Sequence, residues 1–296
     1  MNQVREVTRV VTAHRQEEGA GFIVRRPLPS MSLTLADPFL LIDEMGPVDY
    51  GPGQAVGAPD HPHRGFETVT YVLSGEFEHE DSAGHRGVLR SGDVQWMTAG
   101  AGVVHSEMPS RGVRDAGGLV HGFQVWVNLP ARLKLTPPRY QDVASAKIPT
   151  AHSADGLARV RVIAGEALGA QAIIDTLTPI VYQDWSLQPG ADVTLPLAPE
   201  QQALIYVFQG AARIGNEGSP VVDGQLALLA AGDSVRLRAR QDARLLLLAG
   251  VPLNEPVARY GPFVMNTEQE IRQAFRDYQS GKMGEITRTA QVRSTV

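Results

Sequence analysis

Most of the chain is built of short apolar runs, several of them alternating with polar residues, cut at close intervals by glycine and proline. This is the period of strands rather than the 3.6-residue period of helices. The clearest runs are ETVTYVL (67–73), VLRSGDVQWM (88–97), GFQVWVNL (122–129), ALIYVFQG (203–210) and ARLLLLAGV (243–251). Thirty glycines and twenty prolines supply the punctuation. Short strands with turn signals between them predict an all-β chain, folded as sandwiches or barrels of antiparallel sheet. One helix is predicted, from Thr267 to Gly281. Thr267 and Glu270 form a capping box, Ile271, Ala274, Phe275 and Tyr278 share one face, and Gly281 closes it. Its apolar stripe marks it as a packing element.

At 296 residues the chain is long for one core, and about 150 residues per domain predicts two. The Pro-rich segment LPARLKLTPPRYQ (129–141) reads as the linker, giving domains 1–133 and 134–296. The halves also echo each other. Tyr71-Val-Leu-Ser-Gly75 matches Tyr206-Val-Phe-Gln-Gly210, and Arg90-Ser-Gly-Asp-Val94 echoes Ala230-Ala-Gly-Asp-Ser234. A repeat on this scale implies a duplicated unit.

Composition narrows the chemistry. The chain has no cysteine, so disulfides, iron–sulfur clusters, thiolate zinc sites and cysteine nucleophiles are excluded. Any metal must be held by histidine and carboxylate, which suits first-row divalent ions. A net charge of −5 gives no case for direct nucleic-acid binding. The N-terminal MNQVREVTRVV is charged from its fifth residue and lacks the apolar core of a signal peptide. The longest apolar run, Leu245 to Val251, falls far short of the roughly 20 residues of a membrane span. A cytoplasmic protein without a membrane segment is therefore expected.

The candidate chemistry lies in the first half, in Asp60-His-Pro-His-Arg-Gly-Phe-Glu67 and His105-Ser-Glu107. Residues two apart on a strand face the same side. His61 and His63 can thus point together, as can His105 and Glu107, and two such pairs on facing strands converge three imidazoles and a carboxylate. A lone His-x-His is common on surfaces, but two half-motifs of correct parity favour a metal. His14, His79, His85, His121 and His152 lack such partners and read as surface or structural histidines. By the same parity Glu67 also faces inward, so spacing leaves Glu67 and Glu107 in competition. Counting without gaps along the repeat places Pro196, Ala198, Leu245 and Leu247 opposite the four candidates, so the second unit is expected to lack a metal.

These residues resemble the pirin family of two-barrel cupins. The resemblance is carried by HPHRGFETVTYVLSG (61–75), HEDSAG (79–84), GDVQWMTAGAGVVHSE (92–107), GPFVMNTEQEI (261–271) and Asp37-Pro-Phe-Leu-Leu-Ile-Asp43. It implies a bicupin of two antiparallel jelly-roll barrels with a short C-terminal helix. It also implies metal ligation by His61, His63, His105 and Glu107, with Glu67 a neighbour of the site. The implied cofactor is one divalent ion, Fe(II) first, with Mn, Ni, Cu, Co or Zn as substitutes. The implied activity is a quercetin 2,3-dioxygenase-type reaction of O2 with a small planar aromatic substrate, in which Glu107 serves as general base. Pirins are also associated with regulation, which makes a redox-responsive module that binds a transcription factor or metabolic enzyme the alternative. Phe39, Met45 and Trp96 lie in segments expected to approach the first barrel, either as pocket or as ordinary core.

Overall fold

The computed structural model describes residues 3–287, so residues 1–2 and 288–296 of the predicted domains lie outside it. The period-two runs become strands, and each half of the protein is a pair of antiparallel sheets. In the first half a large sheet takes seven strands in the order Arg139–Val143, Val94–Thr98, Phe66–Ser74, Gly118–Asn128, Phe39–Tyr50, Phe22–Leu28 and His14–Glu18. A small sheet orders Ala58–His63, Val103–Pro109, Glu76–Asp81 and Arg86–Arg90. The second half repeats this with seven strands and four. The strands run as separate open sheets, so the closed barrels expected from the sequence are not what the hydrogen-bonded ladders form. The predicted helix is Glu268–Gln279, with Thr267 as N-cap and both arms of its capping box present. Among the described residues no helix is long and apolar enough to cross a membrane.

The two large sheets pack back to back. Their shared core joins Val69, Tyr71, Trp96, Phe123 and Val125 of the first half to Tyr182, Leu204, Tyr206, Leu246 and Leu248 of the second. Strand alternation then sends Thr70 to the opposite face, where it meets Glu107 of the small sheet. Each large sheet is completed from across the 133/134 division. Val7–Thr12 pairs with Gln225–Leu229 in the second half, and Arg139–Val143 pairs with Val94–Thr98 in the first. The segment expected as a linker is therefore built into the first half. Its prolines end where the strand begins, and Lys134 within it is 1% exposed.

Strand order corrects the register of the repeat. Val94–Thr98 and Gln225–Leu229 occupy the same place beside their Tyr-containing strands, with Tyr71 opposite Val94 and Tyr206 opposite Leu226. The Gly92 N–H bonds the Val72 carbonyl as the Gly224 N–H bonds that of Val207. The partner of the Gly92 turn is thus Gly224, and Gly232-Asp233 lies one strand later. Following the ladders, the positions matching His61, His63, His105 and Glu107 are Leu195, Leu197, Val235 and Leu237. Unequal loop lengths defeat ungapped counting, which had placed Pro196, Ala198, Leu245 and Leu247 there. All four corrected positions are buried in the apolar core of the second half.

Two features seat the first small sheet. Gly65 links Ala58–His63 to Phe66–Ser74 with φ +90°, and a Cβ there would lie 1.9 Å from the Val264 carbonyl oxygen, so only glycine fits. The C-terminal segment folds back over this joint: Phe263, Met265, Ile271, Ala274 and Met283 pack with Val104. Arg64 Nη1 donates to Asp277 Oδ2 at 2.8 Å to fasten the helix.

Candidate metal centre

His61 stands directly opposite His105 on adjacent strands, and His63 opposite Val103. Both pairs of the His-x-His and His-x-Glu pattern come from this one ladder. Ring centroids of the three histidines lie 4.4 to 4.9 Å apart, and one ligand nitrogen from each falls within 4.8 Å of the others. His63 is 3% exposed and His105 1%. The predicted histidines are thus brought together.

The donor state of each ring is legible. His61 Nδ1 donates to the Pro59 carbonyl at 2.7 Å, which orients the ring and leaves Nε2 as the nitrogen available to a ligand. Both ring nitrogens of His63 and of His105 are buried, and neither ring has a side-chain hydrogen-bond partner among the described residues, His63 having only the Pro262 backbone beside it. Burial, followed by the neighbouring rings, holds both far below the usual histidine pKa. Neutral imidazoles with unspent lone pairs, buried and converging, are what a divalent ion requires. Buried polar atoms left unsatisfied are otherwise costly. The residues present fit a metal.

Glu107 approaches the same space but lies outside the close histidine group. A bulge between His105 and Glu107 shifts it to face Ala58. Its two carboxylate oxygens accept hydrogen bonds from Thr70 Oγ1 and Gln124 Nε2, both at 2.8 Å. Glu67, the rival by parity, points away. Parity does not carry through Arg64-Gly65, where the chain leaves one sheet and enters the other. Glu67 is fully buried, its Oε1 accepting from Thr98 Oγ1 at 2.7 Å. Burial raises its pKa, opposed by the bonds it accepts.

A cavity of about 560 Å³ opens beside the histidines, between the large and small sheets. Its walls are chiefly apolar, from Phe22, Ile23, Leu41, Met45, Phe77 and Trp126, and His61, His63 and Glu107 face into it. Of the three residues expected near the first unit, Met45 lines this cavity, while Phe39 and Trp96 lie in the core between the large sheets. A polar rim was not foreseen. Arg26 is bonded to Asp43 (Nε to Oδ1, 2.6 Å) and to Glu18 at 2.7 Å. Burial lifts the Asp43 carboxyl to about 6 against the pull of Arg26. Arg259 lies 4.8 Å over the Trp126 ring, which in turn contacts His63. Single arginines scattered over the chain give no sequence signal for such a rim.

Of the remaining histidines, His121 bonds Glu44 at 2.8 Å and His85 bonds Asp81 at 2.8 Å. His79 is 3% exposed and stacks on Tyr140, with Asp142 at 3.3 Å.

Comparison with known proteins agrees with this architecture. A family model described as Pirin matches residues 21–127, and one described as Pirin C-terminal cupin domain matches residues 182–284. The chain belongs to the pirin family. It is 44% identical over 283 residues to a pirin-like protein of Solanum lycopersicum, covering 95% of this chain and 93% of that one. Human pirin is 43% identical over 289 residues, with 96% of each chain covered. A crystal structure of a quercetin 2,3-dioxygenase from Acinetobacter baumannii superposes with a TM-score of 0.90 at 39% identity, covering 96% of this pirin and 100% of that chain. Both halves are therefore cupin domains, one with a histidine cluster and one whose matching positions are leucine and valine.

Proposed function

We propose that this pirin is a metal-dependent dioxygenase acting with O2 on a flavonol or related polyphenol such as quercetin. The observation that carries this is the convergence of three histidines, two of them buried with unpartnered ring nitrogens, at the wall of a largely apolar cavity. His61, His63 and His105 would hold the ion, with Glu107 as fourth ligand. Fe(II) is the ion of first choice, and Mn, Ni, Cu, Co or Zn suit the same donors. When bound, such an ion supplies Lewis acidity and, for iron, a redox centre for the reaction of the substrate with O2.

The chain's own residues do the rest. Phe22, Ile23, Met45 and Trp126 give a planar ring system apolar walls and exclude water from it. Glu107 takes the proton of a substrate hydroxyl, since a carboxylate within hydrogen-bond reach acts as general base. Thr70 and Gln124 hold that carboxylate in its orientation, each by one hydrogen bond. The similarity to the Acinetobacter baumannii quercetin 2,3-dioxygenase supports the choice of substrate class.

The test is oxygen consumption with quercetin by protein loaded anaerobically with Fe(II), beside a His63→Ala variant of determined metal content. Uptake that follows bound iron is expected. Fully loaded protein that consumes no oxygen overturns the proposal and points instead to a metal-responsive regulatory protein.

A further inference from the structure

The core between the two large sheets carries two polar sites related by the repeat, and they differ in charge. At the first, Glu44 accepts from Arg25, from His121 and from the Tyr206 hydroxyl, the last at 2.6 Å. At the second, Asp184 accepts from the Tyr71 hydroxyl at 2.6 Å and from Arg244 at 2.7 Å, with Arg161 opposite it on the next strand. The ladders make the two equivalent position by position. Tyr71 faces Phe123, which faces Glu44, which faces Arg25. Tyr206 faces Leu246, which faces Asp184, which faces Arg161. His121 opposite Ser74 corresponds to Arg244 opposite Gln209.

What fails to match is the second carboxylate. Asp223 accepts two hydrogen bonds from Arg25, both at 3.0 Å. Because Gly92 corresponds to Gly224, the residue in the place of Asp223 is Ser91. Arg161 therefore spends its donors on neutral acceptors: the Tyr71 hydroxyl, the Gly92 carbonyl and Ser145. The second site also gains cations, with Arg244 where the first has a histidine. Its Nε is buried without an acceptor among the described residues.

A cleft of about 360 Å³ opens at this second site, between the halves. Arg159, Arg161, Arg244, Ser91, Ser145 and Ser186 line it, and no carboxylate does. Asp184 lies behind, accepting both of its hydrogen bonds through Oδ2, while its Oδ1 is buried without a partner among the described residues. Asp93 is near, but its oxygens accept the backbone N–H groups of Arg90 and Ser145. Arg159 is exposed, and its side chain has no hydrogen bond or ion pair among the described residues. Three guanidiniums thus meet one carboxylate, where the related site sets two carboxylates against one guanidinium and a histidine.

We propose that this cleft is a binding site for a phosphoryl-type dianion, either inorganic phosphate or the phosphate of a small ester. Guanidinium forks match tetrahedral oxyanions bidentately, and the three serine hydroxyls add donors for the remaining oxygens. The dianion occupies the place that the Asp223 carboxylate fills in the other half. It joins arginines of the second half to Ser91 of the first and so braces the two domains.

The test is calorimetric titration of the full-length protein with inorganic phosphate and with phenyl phosphate, against sodium chloride at matched ionic strength. Ser91→Asp copies the internal carboxylate of the related site and is expected to fold well. It should weaken binding at least about tenfold, since it sets a like charge in the site. Arg159→Ala, an exposed change, should weaken it severalfold, and His63→Ala should bind as the parent does. Tighter binding of phosphate marks the free ion as the occupant, and tighter binding of phenyl phosphate marks an ester. Heat no greater than that of chloride, binding unchanged in Ser91→Asp, or binding lost in His63→Ala would each overturn the proposal.

Discussion

Replacing Lys134 by methionine should loosen the joint that seats His63. The Lys134 ammonium is 1% exposed and donates to the Gly65 carbonyl at 2.8 Å, Asn128 Oδ1 at 2.6 Å and the Val264 carbonyl at 3.1 Å. It thereby ties together the glycine after His63, the end of Gly118–Asn128 and the C-terminal hairpin. Methionine keeps the length and apolar volume but strands three buried acceptors, at roughly 2 kcal/mol each. Against this stands relief from burying a charge. Burial lowers the Lys134 pKa from 10.5 to about 8, which corresponds to about 3 kcal/mol at neutral pH. The expected net loss is about 3 kcal/mol, or a fall of about 5 °C in Tm for a chain of this size. The sign of the pH dependence is fixed as well. Between about pH 8 and pH 10.5 the unfolded lysine holds a proton that the folded one has shed, so this group adds stability as pH rises. The methionine variant lacks that gain, and its deficit should widen in that window. Denaturant melts of both proteins near pH 7.5 and near pH 10 read this, with metal content measured alongside. A variant as stable as the parent at both pH values, with full metal content, would refute the reasoning.

Two further outcomes follow from buried polar contacts. Asp277 is held below the usual carboxylate pKa by Arg64 first and by Lys282 next. Its contribution is present above the unfolded value near 3.8 and lost as pH falls through the folded one, so Asp277→Asn should flatten the acid limb of the stability curve. An unchanged acid limb in circular-dichroism melts would count against the pairing. Tyr206→Phe removes a 2.6 Å bond to fully buried Glu44 and should cost about 1.5–3 kcal/mol, the range for hydrogen bonds to charged groups. A loss under about 0.5 kcal/mol would show that Arg25 and His121 suffice to hold that carboxylate.

The strands, the capped helix and the histidine pairs were readable because each depends on residues close in sequence. Thr267 and Glu270 cap the helix in one turn, and the His61/His63 spacing needs only strand parity within Ala58–His63. Parity failed where the chain changed sheets. Glu67 was counted inward from His63, but the Gly65 turn restarts the alternation, and Glu67 faces Thr98 instead. The repeat register failed for a related reason. Loops between equivalent strands differ in length, and a slip of one strand moved the match for His105 from Val235 to Leu245. The true positions in the second half, Leu195, Leu197, Val235 and Leu237, are apolar as well.

The amino-acid sequence by itself determined the all-β class, the doubled unit, the absence of thiol chemistry and the residues that form the histidine cluster. These follow from local periodicity, composition and residue type. Tertiary structure alone decided that the large sheets pack back to back, that Arg139–Val143 is a strand rather than a linker, and that Thr70 and Gln124 hold Glu107. It also decided that Lys134 is buried and that Ser91 stands where Asp223 does. Each of these is a meeting of residues far apart in the chain. Which of them meet is set by how sheets exclude water and satisfy buried polar groups, and no short stretch of sequence carries that information.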